Sequence, residues 1–143
     1  MSKQNQKTEG GCLCGNVRLE SDDPPFRVGY CHCRMCQKSL GNIFGTSAFF
    51  KHSHFRFTQG EPTWFQSSDK VTRGFCARCG SPIAYQHRDC EHVAIWLGTL
   101  DHPDGFEPQI HWYSDTKLPW VDIQEDLSDA TTTLASYVEN SPD

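Results

Sequence analysis

Phe75-Cys76-Ala77-Arg78-Cys79-Gly80-Ser81-Pro82 sets two cysteines three positions apart and follows them with a glycine, a serine and a proline. A redox pair of the C-x-x-C kind normally opens a helix within an α/β unit. Here a strand-like run, Ile83 to Tyr85, comes next instead. A loose echo occurs near the start of the chain, where Cys12-Leu13-Cys14-Gly15, with its cysteines two positions apart, also precedes an alternating segment. Between them lies Cys31-His32-Cys33-Arg34-Met35-Cys36. Seven of the eight cysteines therefore fall in three tight clusters. Two clusters supply two thiols each and the third supplies three. Structural zinc takes four protein ligands, whereas catalytic zinc has three and keeps a position open. Four plus three is the count expected of one closed and one open zinc.

The chain has 143 residues, enough for one domain with a real core. Its 36% hydrophobic and 22% charged residues are ordinary for a soluble protein. A net charge of -5 argues against a broad basic face for nucleic acid. No apolar run approaches the ~18 residues of a membrane span. Met1 to Lys7 is polar and lacks an apolar signal core, so a cytoplasmic location is expected. Thiols there stay reduced unless they bind metal or take part in catalysis, which weakens a disulfide reading.

Residues 1–8 read as a disordered tail. From Gly10 onward the pattern is one of short strands broken by turns. Val17 and Leu19 alternate with Arg18 and Glu20, Phe55 and Phe57 flank Arg56, and Val93 to Leu97 reads as a fully buried strand. Ile43–Phe50, Ile83–Tyr85 and Ile110–Tyr113 are further strand candidates, and Asp101-His-Pro-Asp-Gly105 is a turn. Eight prolines and eleven glycines, spread throughout, leave little room for long helices. Two short helices are expected, one from Cys33 to about Leu40 and one starting near Ser128 or Asp129. The fold class is mainly β with short helices, in a single zinc-stabilised domain over 9–128 with an extension over 129–143.

Glycine directly after the second cysteine of each pair permits a sharp turn with positive φ, which aims backbone N–H groups at the thiolates. Cys12, Cys14, Cys76 and Cys79 are thus expected to hold a structural zinc, with two disulfides or a Cys76–Cys79 redox pair as alternatives. Cys31, Cys33 and Cys36 can reach one ion if their loop curls around it. Its fourth ligand is a histidine, water or substrate, or Cys90 in a closed site. His32 is not expected to be a ligand, because neighbouring side chains of an extended chain point opposite ways. A three-thiolate zinc is a Lewis acid that can also hold a substrate thiolate.

The chain resembles the glutathione-dependent formaldehyde-activating enzyme family, which includes the domain of centromere protein V. The resemblance rests on Gly10-Gly-Cys-Leu-Cys-Gly15, Cys31-His-Cys-Arg-Met-Cys-Gln-Lys38 with Gly41, Phe75-Cys-Ala-Arg-Cys-Gly-Ser-Pro82, Gly98-Thr-Leu-Asp-His-Pro103 and Trp120. It covers roughly residues 9–125. It implies a fold of several coiled antiparallel sheets, shared with chaperone-like factors of Rab proteins. It also implies a structural zinc at the four paired cysteines and an active-site zinc at Cys31, Cys33 and Cys36. The family's reaction adds the thiol of glutathione to formaldehyde, giving S-hydroxymethylglutathione.

Glutathione carries two carboxylates, so its site should offer cations. Arg34, Lys38 and Arg73 are the candidates. The expectation is a two-zinc carbon–sulfur lyase or synthase acting on glutathione and a small aldehyde, with no nucleic-acid or membrane partner. A zinc-stabilised binding module and a glutathione carrier without catalysis are the alternatives. Other residues receive structural roles. Asp101 is expected to cap its turn. His52 and His54 are expected to share a strand face, and His111-Trp112 a pocket wall or strand end. Trp64, Trp96, Trp112 and Trp120 are assigned to core or pocket wall, and Cys90 is treated as a small hydrophobe.

Overall fold

The computed structural model describes residues 6–130. In chain order the strands and helix are β1 (Thr8–Gly11), β2 (Arg18–Ser21), β3 (Arg27–Cys31), α1 (Arg34–Leu40), β4 (Gly45–Lys51), β5 (Phe55–Gln59), β6 (Thr63–Gln66), β7 (Val71–Phe75), β8 (Pro82–His87), β9 (His92–Trp96), β10 (Ile110–Trp112) and β11 (Ser128–Ala130). Short 3-10 turns fill several connections. The described residues form two sheets. A small one has the order β1-β2-β5, and a large one has the order β11-β10-β3-β4-β9-β8-β7-β6. The expected all-antiparallel pairing needs correction at one end of the large sheet. There β10 runs parallel to both β3 and β11.

The core follows from the period of two along the central strands. β9 is buried at every position, so both faces of the large sheet are covered. Val93 and Ile95 point to one face, with Ala48, Phe50, Val28 and Ala84. Ala94 and Trp96 point to the other, with Phe49, Tyr85, Ile110 and Trp112. Register carries this parity from strand to strand, since Ile95 pairs with Ala48 and Ala84, and Ala94 with Phe49 and Tyr85. Full burial of a side chain such as Phe50 contributes about 1.5–3 kcal/mol. The two faces end at different cysteine clusters. Cys12 and Cys76 belong to the first face, and Cys31 and Cys36 to the second.

Several expectations hold. The helix after Cys33 is present as α1 and ends before Gly41. Val17 and Leu19 are buried where the alternating pattern put them. Others are corrected. Thr8 is not part of a tail but opens β1, where it pairs with Ser21; residues 1–5 lie outside the described part. Ser128–Ala130 do not start a helix but form β11, and residues 131–143 lie outside the described part. Parallel pairing with β10 supplies backbone partners that a local helical pattern could not anticipate. His52 and His54 lie in a 3-10 turn rather than on a strand, and His54 Nδ1 pairs with Asp23. Trp64 and Trp120 are exposed, at 41% and 66%. Trp64 still helps to line a surface cavity, whereas Trp120 is neither core nor wall. Asp101 does not cap its turn. Its two oxygens accept from Arg18 Nη1 and Nη2 at 3.0 and 2.6 Å, tying the segment to β2.

Candidate metal centres and the adjoining cavity

Two groups of cysteines each converge on a point. The ligand atoms of Cys12, Cys14, Cys76 and Cys79 lie within 4.8 Å of one another, as do those of Cys31, Cys33 and Cys36. These are the clusters expected from spacing.

The four-thiol group is built by two matching turns. Gly15 and Gly80 adopt φ of +80° and +79°, a region other residues enter at a cost. Each turn closes on its own cysteine carbonyl, Gly15 N–H donating to Cys12 O at 3.1 Å and Gly80 N–H to Cys76 O at 2.7 Å. The Val17 amide donates to Cys12 Sγ at 3.3 Å. Ser81 joins the two turns, since its Oγ accepts from the Leu13 amide at 3.0 Å and lies 3.2 Å from Cys79 Sγ. The Ser81 hydroxyl, with the Ser81 and Cys14 amides, lowers the Cys79 thiol to about 5. A tetrahedral zinc with Zn–S bonds of about 2.3 Å has sulfur–sulfur edges of about 3.8 Å. The Cys12–Cys14 and Cys14–Cys76 separations are 3.6 and 3.8 Å, so this donor set fits a closed tetrahedral ion.

The three-thiol group is assembled differently. Cys31 ends β3 on the face it shares with Trp112 and Phe49. Cys33 caps α1, its Sγ accepting from the Cys36 amide at 3.2 Å. Cys36 lies one turn into the helix, with its Sγ 3.2 Å from that of Cys31. Hydrogen bonds from the Cys31 and Cys36 thiols, the Cys36 amide and the nearby Arg73 charge lower the Cys33 thiol strongly. The Cys33 and Cys36 thiols and burial raise that of Cys31. One negative charge is thus favoured on the loop by itself, and a bound cation would draw the other thiols to the same form. The set fits a three-ligand ion, and among the described residues no further side chain joins the cluster.

His32 points the other way. It is fully buried, and its Nε2 lies 2.8 Å from His111 Nδ1. His111 Nε2 donates to the Gln124 carbonyl at 2.9 Å, so His32 must be the donor to His111. Burial, with His111 adding to it, pushes His32 down to about 4 and keeps the ring neutral. The pair ties the cysteine loop to β10, which is a structural task. Cys90 is half-buried and belongs to neither cluster.

The three candidate cations come together. Arg34, Lys38 and Arg73 line one cavity of about 590 Å³, with Trp96, Phe65 and Met35 among its apolar walls. Arg73 reaches this place from β7. Its guanidinium donates to Ser39 Oγ at 3.1 Å and Ser67 Oγ at 3.3 Å, and lies 5.4 Å from the centre of the Tyr85 ring. Both terminal nitrogens are 3.8 Å from Cys36 Sγ. A smaller cavity of about 140 Å³ opens at the three thiols and shares Arg73 and Met35 with the larger one. Tyr85 and Tyr113 line the smaller cavity. Neither tyrosine was marked by its sequence context. Tyr85 is placed by its register opposite Ala94, and Tyr113 by a left-handed backbone at φ +56°, neither of which a local pattern reveals.

Comparison with known proteins places this geometry. A crystal structure of a Rhodobacter sphaeroides protein superposes with a TM-score of 0.55 at 20% identity, covering 86% of this chain and 99% of the other, which establishes a shared fold. No curated protein matches the chain. A family description, that of the glutathione-dependent formaldehyde-activating enzyme, matches residues 7–116. That span runs from the start of β1 past β10 and takes in all three cysteine clusters, so the chain belongs to the glutathione-dependent formaldehyde-activating enzyme family.

Proposed function

We propose that this protein is a zinc enzyme that makes or breaks the carbon–sulfur bond between glutathione and formaldehyde. The observation that carries the reading is that the three-thiol site shares Met35 and Arg73 with a neighbouring cavity lined by Arg34, Lys38 and Arg73. Cys12, Cys14, Cys76 and Cys79 would hold a structural zinc, and Cys31, Cys33 and Cys36 a second one. Zinc bound at the second site supplies Lewis acidity and favours the deprotonated form of a thiol beside it.

The chain's own residues do the rest. Arg34 and Lys38 offer the two carboxylates of glutathione cationic partners at the wall of the larger cavity. Trp96, Phe65 and Met35 cover the tripeptide's apolar stretches and reduce the water around it. Arg73, held by Ser39 and Ser67, keeps a positive charge between the two cavities, where the incoming sulfur becomes anionic. Tyr113 is kept protonated by its burial and by the negative charge of the thiolates. Its hydroxyl can therefore donate to an oxygen at the small cavity. The reaction balances without a leaving group. The thiol gives up its proton, sulfur bonds to the carbonyl carbon, and the former carbonyl oxygen takes a proton.

The deciding experiment measures zinc per chain with and without millimolar glutathione, then the rate of adduct exchange by NMR. The expected result is two zincs, one of them perturbed by the thiol, and exchange faster than the spontaneous reaction. Two zincs indifferent to glutathione, with exchange at the spontaneous rate, would refute the reading in favour of a binding module.

A further inference from the structure

The small cavity at the three thiols is larger than formaldehyde needs. A water molecule accounts for about 30 Å³ of liquid, so its volume of about 140 Å³ holds roughly five groups of that size. A zinc on the three thiols and the attacking sulfur would take about one share each. A carbon and an oxygen, all that formaldehyde brings besides hydrogens, leave the rest unfilled. Beyond the thiols the walls are Met35, Val71, Tyr85 and Tyr113, mostly hydrocarbon, with His87 and Arg73 as the polar groups. An apolar chamber of this kind gains by accepting carbon and rejects it poorly.

The backbone shows how the chamber is formed. Trp112 ends β10 facing the same side as Cys31, its partner in register. Continued as a strand, the chain would turn Tyr113 to the opposite face. Instead Tyr113 takes φ +56° and ψ +45°, a left-handed conformation that is unusual for an aromatic residue. The ring is thereby brought to the wall beside Cys31 and Cys33. From the other side, Val71 and Tyr85 reach the chamber from neighbouring strands β7 and β8.

We infer that this chamber is the seat of the aldehyde's substituent, and that the site accepts short-chain aliphatic aldehydes of about three heavy atoms besides formaldehyde. The inference rests on the carbon–sulfur reading above. The chemistry is the same addition. Sulfur bonds to the carbonyl carbon, the π pair moves to oxygen, and one proton passes from thiol to oxygen with no oxidant required. Only the group on carbon changes, and Val71, Tyr85 and Tyr113 surround it.

The test compares formaldehyde with acetaldehyde as partners of glutathione, with adduct exchange read by NMR against the spontaneous rate. Acceleration of both, to within about tenfold of each other, is the expected result. Acceleration of formaldehyde alone overturns the inference and leaves the carbon–sulfur reading standing. Acceleration of neither removes both. Val71→Phe then fills the chamber. It should lower the acetaldehyde-to-formaldehyde rate ratio by about tenfold or more, the scale on which an apolar pocket discriminates size. An unchanged ratio in the folded variant would place the substituent elsewhere and overturn the inference. The wild-type comparison decides the matter alone if that variant does not fold.

Discussion

The four-thiol and three-thiol groups use the same ligand chemistry in opposite surroundings. The first joins two turns 62 positions apart in the chain, each shaped by a positive-φ glycine and bonded to the other through Ser81. None of its four cysteines lines either of the two cavities beside the three-thiol group. The second gathers a strand end, a helix cap and a helical residue within six positions, and opens on the smaller cavity, which shares Met35 and Arg73 with the larger one. Turns that supply their own backbone donors need nothing else and make a staple. A loop that leaves one side to a cavity and an arginine is organised for exchange. The number of thiols and their mountings both agree with the division of roles proposed above.

The sharpest way to break this comparison is to remove one ligand from each group. Cys76→Ser should produce the largest effect. The apparent affinity of a structural zinc is about 10–16 kcal/mol, comparable with the whole stability of a domain at about 5–15 kcal/mol. Loss of the cooperative thermal transition is expected, and circular dichroism will show it. A variant that melts like wild type would deny the staple role.

Cys33→Ser should act on function with little cost in fold. Serine is a good helix N-cap, so the hydrogen bond now made by Cys33 Sγ to the Cys36 amide has a replacement, and the stability change should stay within about 1 kcal/mol. Metal content should fall by one per chain, and adduct exchange should return to the spontaneous rate. Retention of both metals would show that the three-thiol group is not a site of its own.

The smallest effect concerns the strut that braces β2 near the four-thiol group. Arg18 holds the Asp101 carboxyl below its usual range. The pair's contribution is therefore complete above the unfolded-state value of about 3.9, and is lost as pH falls through the lower folded-state value. With both side chains about a third exposed, Asp101→Asn should cost only about 0.5 kcal/mol at neutral pH. The difference in melting temperature from wild type should shrink in acid. A gap that widened in acid would contradict the sign.

Both ligand sets were legible in the chain because metal-binding loops are local. Cys76 to Cys79 with Gly80, and Cys31 to Cys36, carry their spacing and turn chemistry within a few residues. The strands at the centre were legible for a similar reason. Val93 to Trp96 is buried on both sides and shows as an unbroken apolar run. The misreadings occurred where partners are distant. β6 is exposed at every position and has no alternation to find. Trp64, lying on it, lines a surface cavity as one of its two expected roles allows, but is no part of the core. β11 exists through pairing with β10, where the local sequence suggests the start of a short helix. Asp101 looked like a turn cap because its partner, Arg18, is 83 positions away.

By itself, then, the sequence determined a mainly β chain, seven thiols divided four and three, and a family whose chemistry concerns glutathione and formaldehyde. Spacing and glycine positions are sufficient for that, since a metal loop is shaped by its own few residues. Only the tertiary structure decided that Arg34, Lys38 and Arg73 share one cavity, that His32 turns toward His111, and that Tyr85 and Tyr113 enclose the space beside the thiols. Those relations depend on strand register and on one left-handed residue. The packing of the whole sheet sets both, and no short stretch of the chain encodes them.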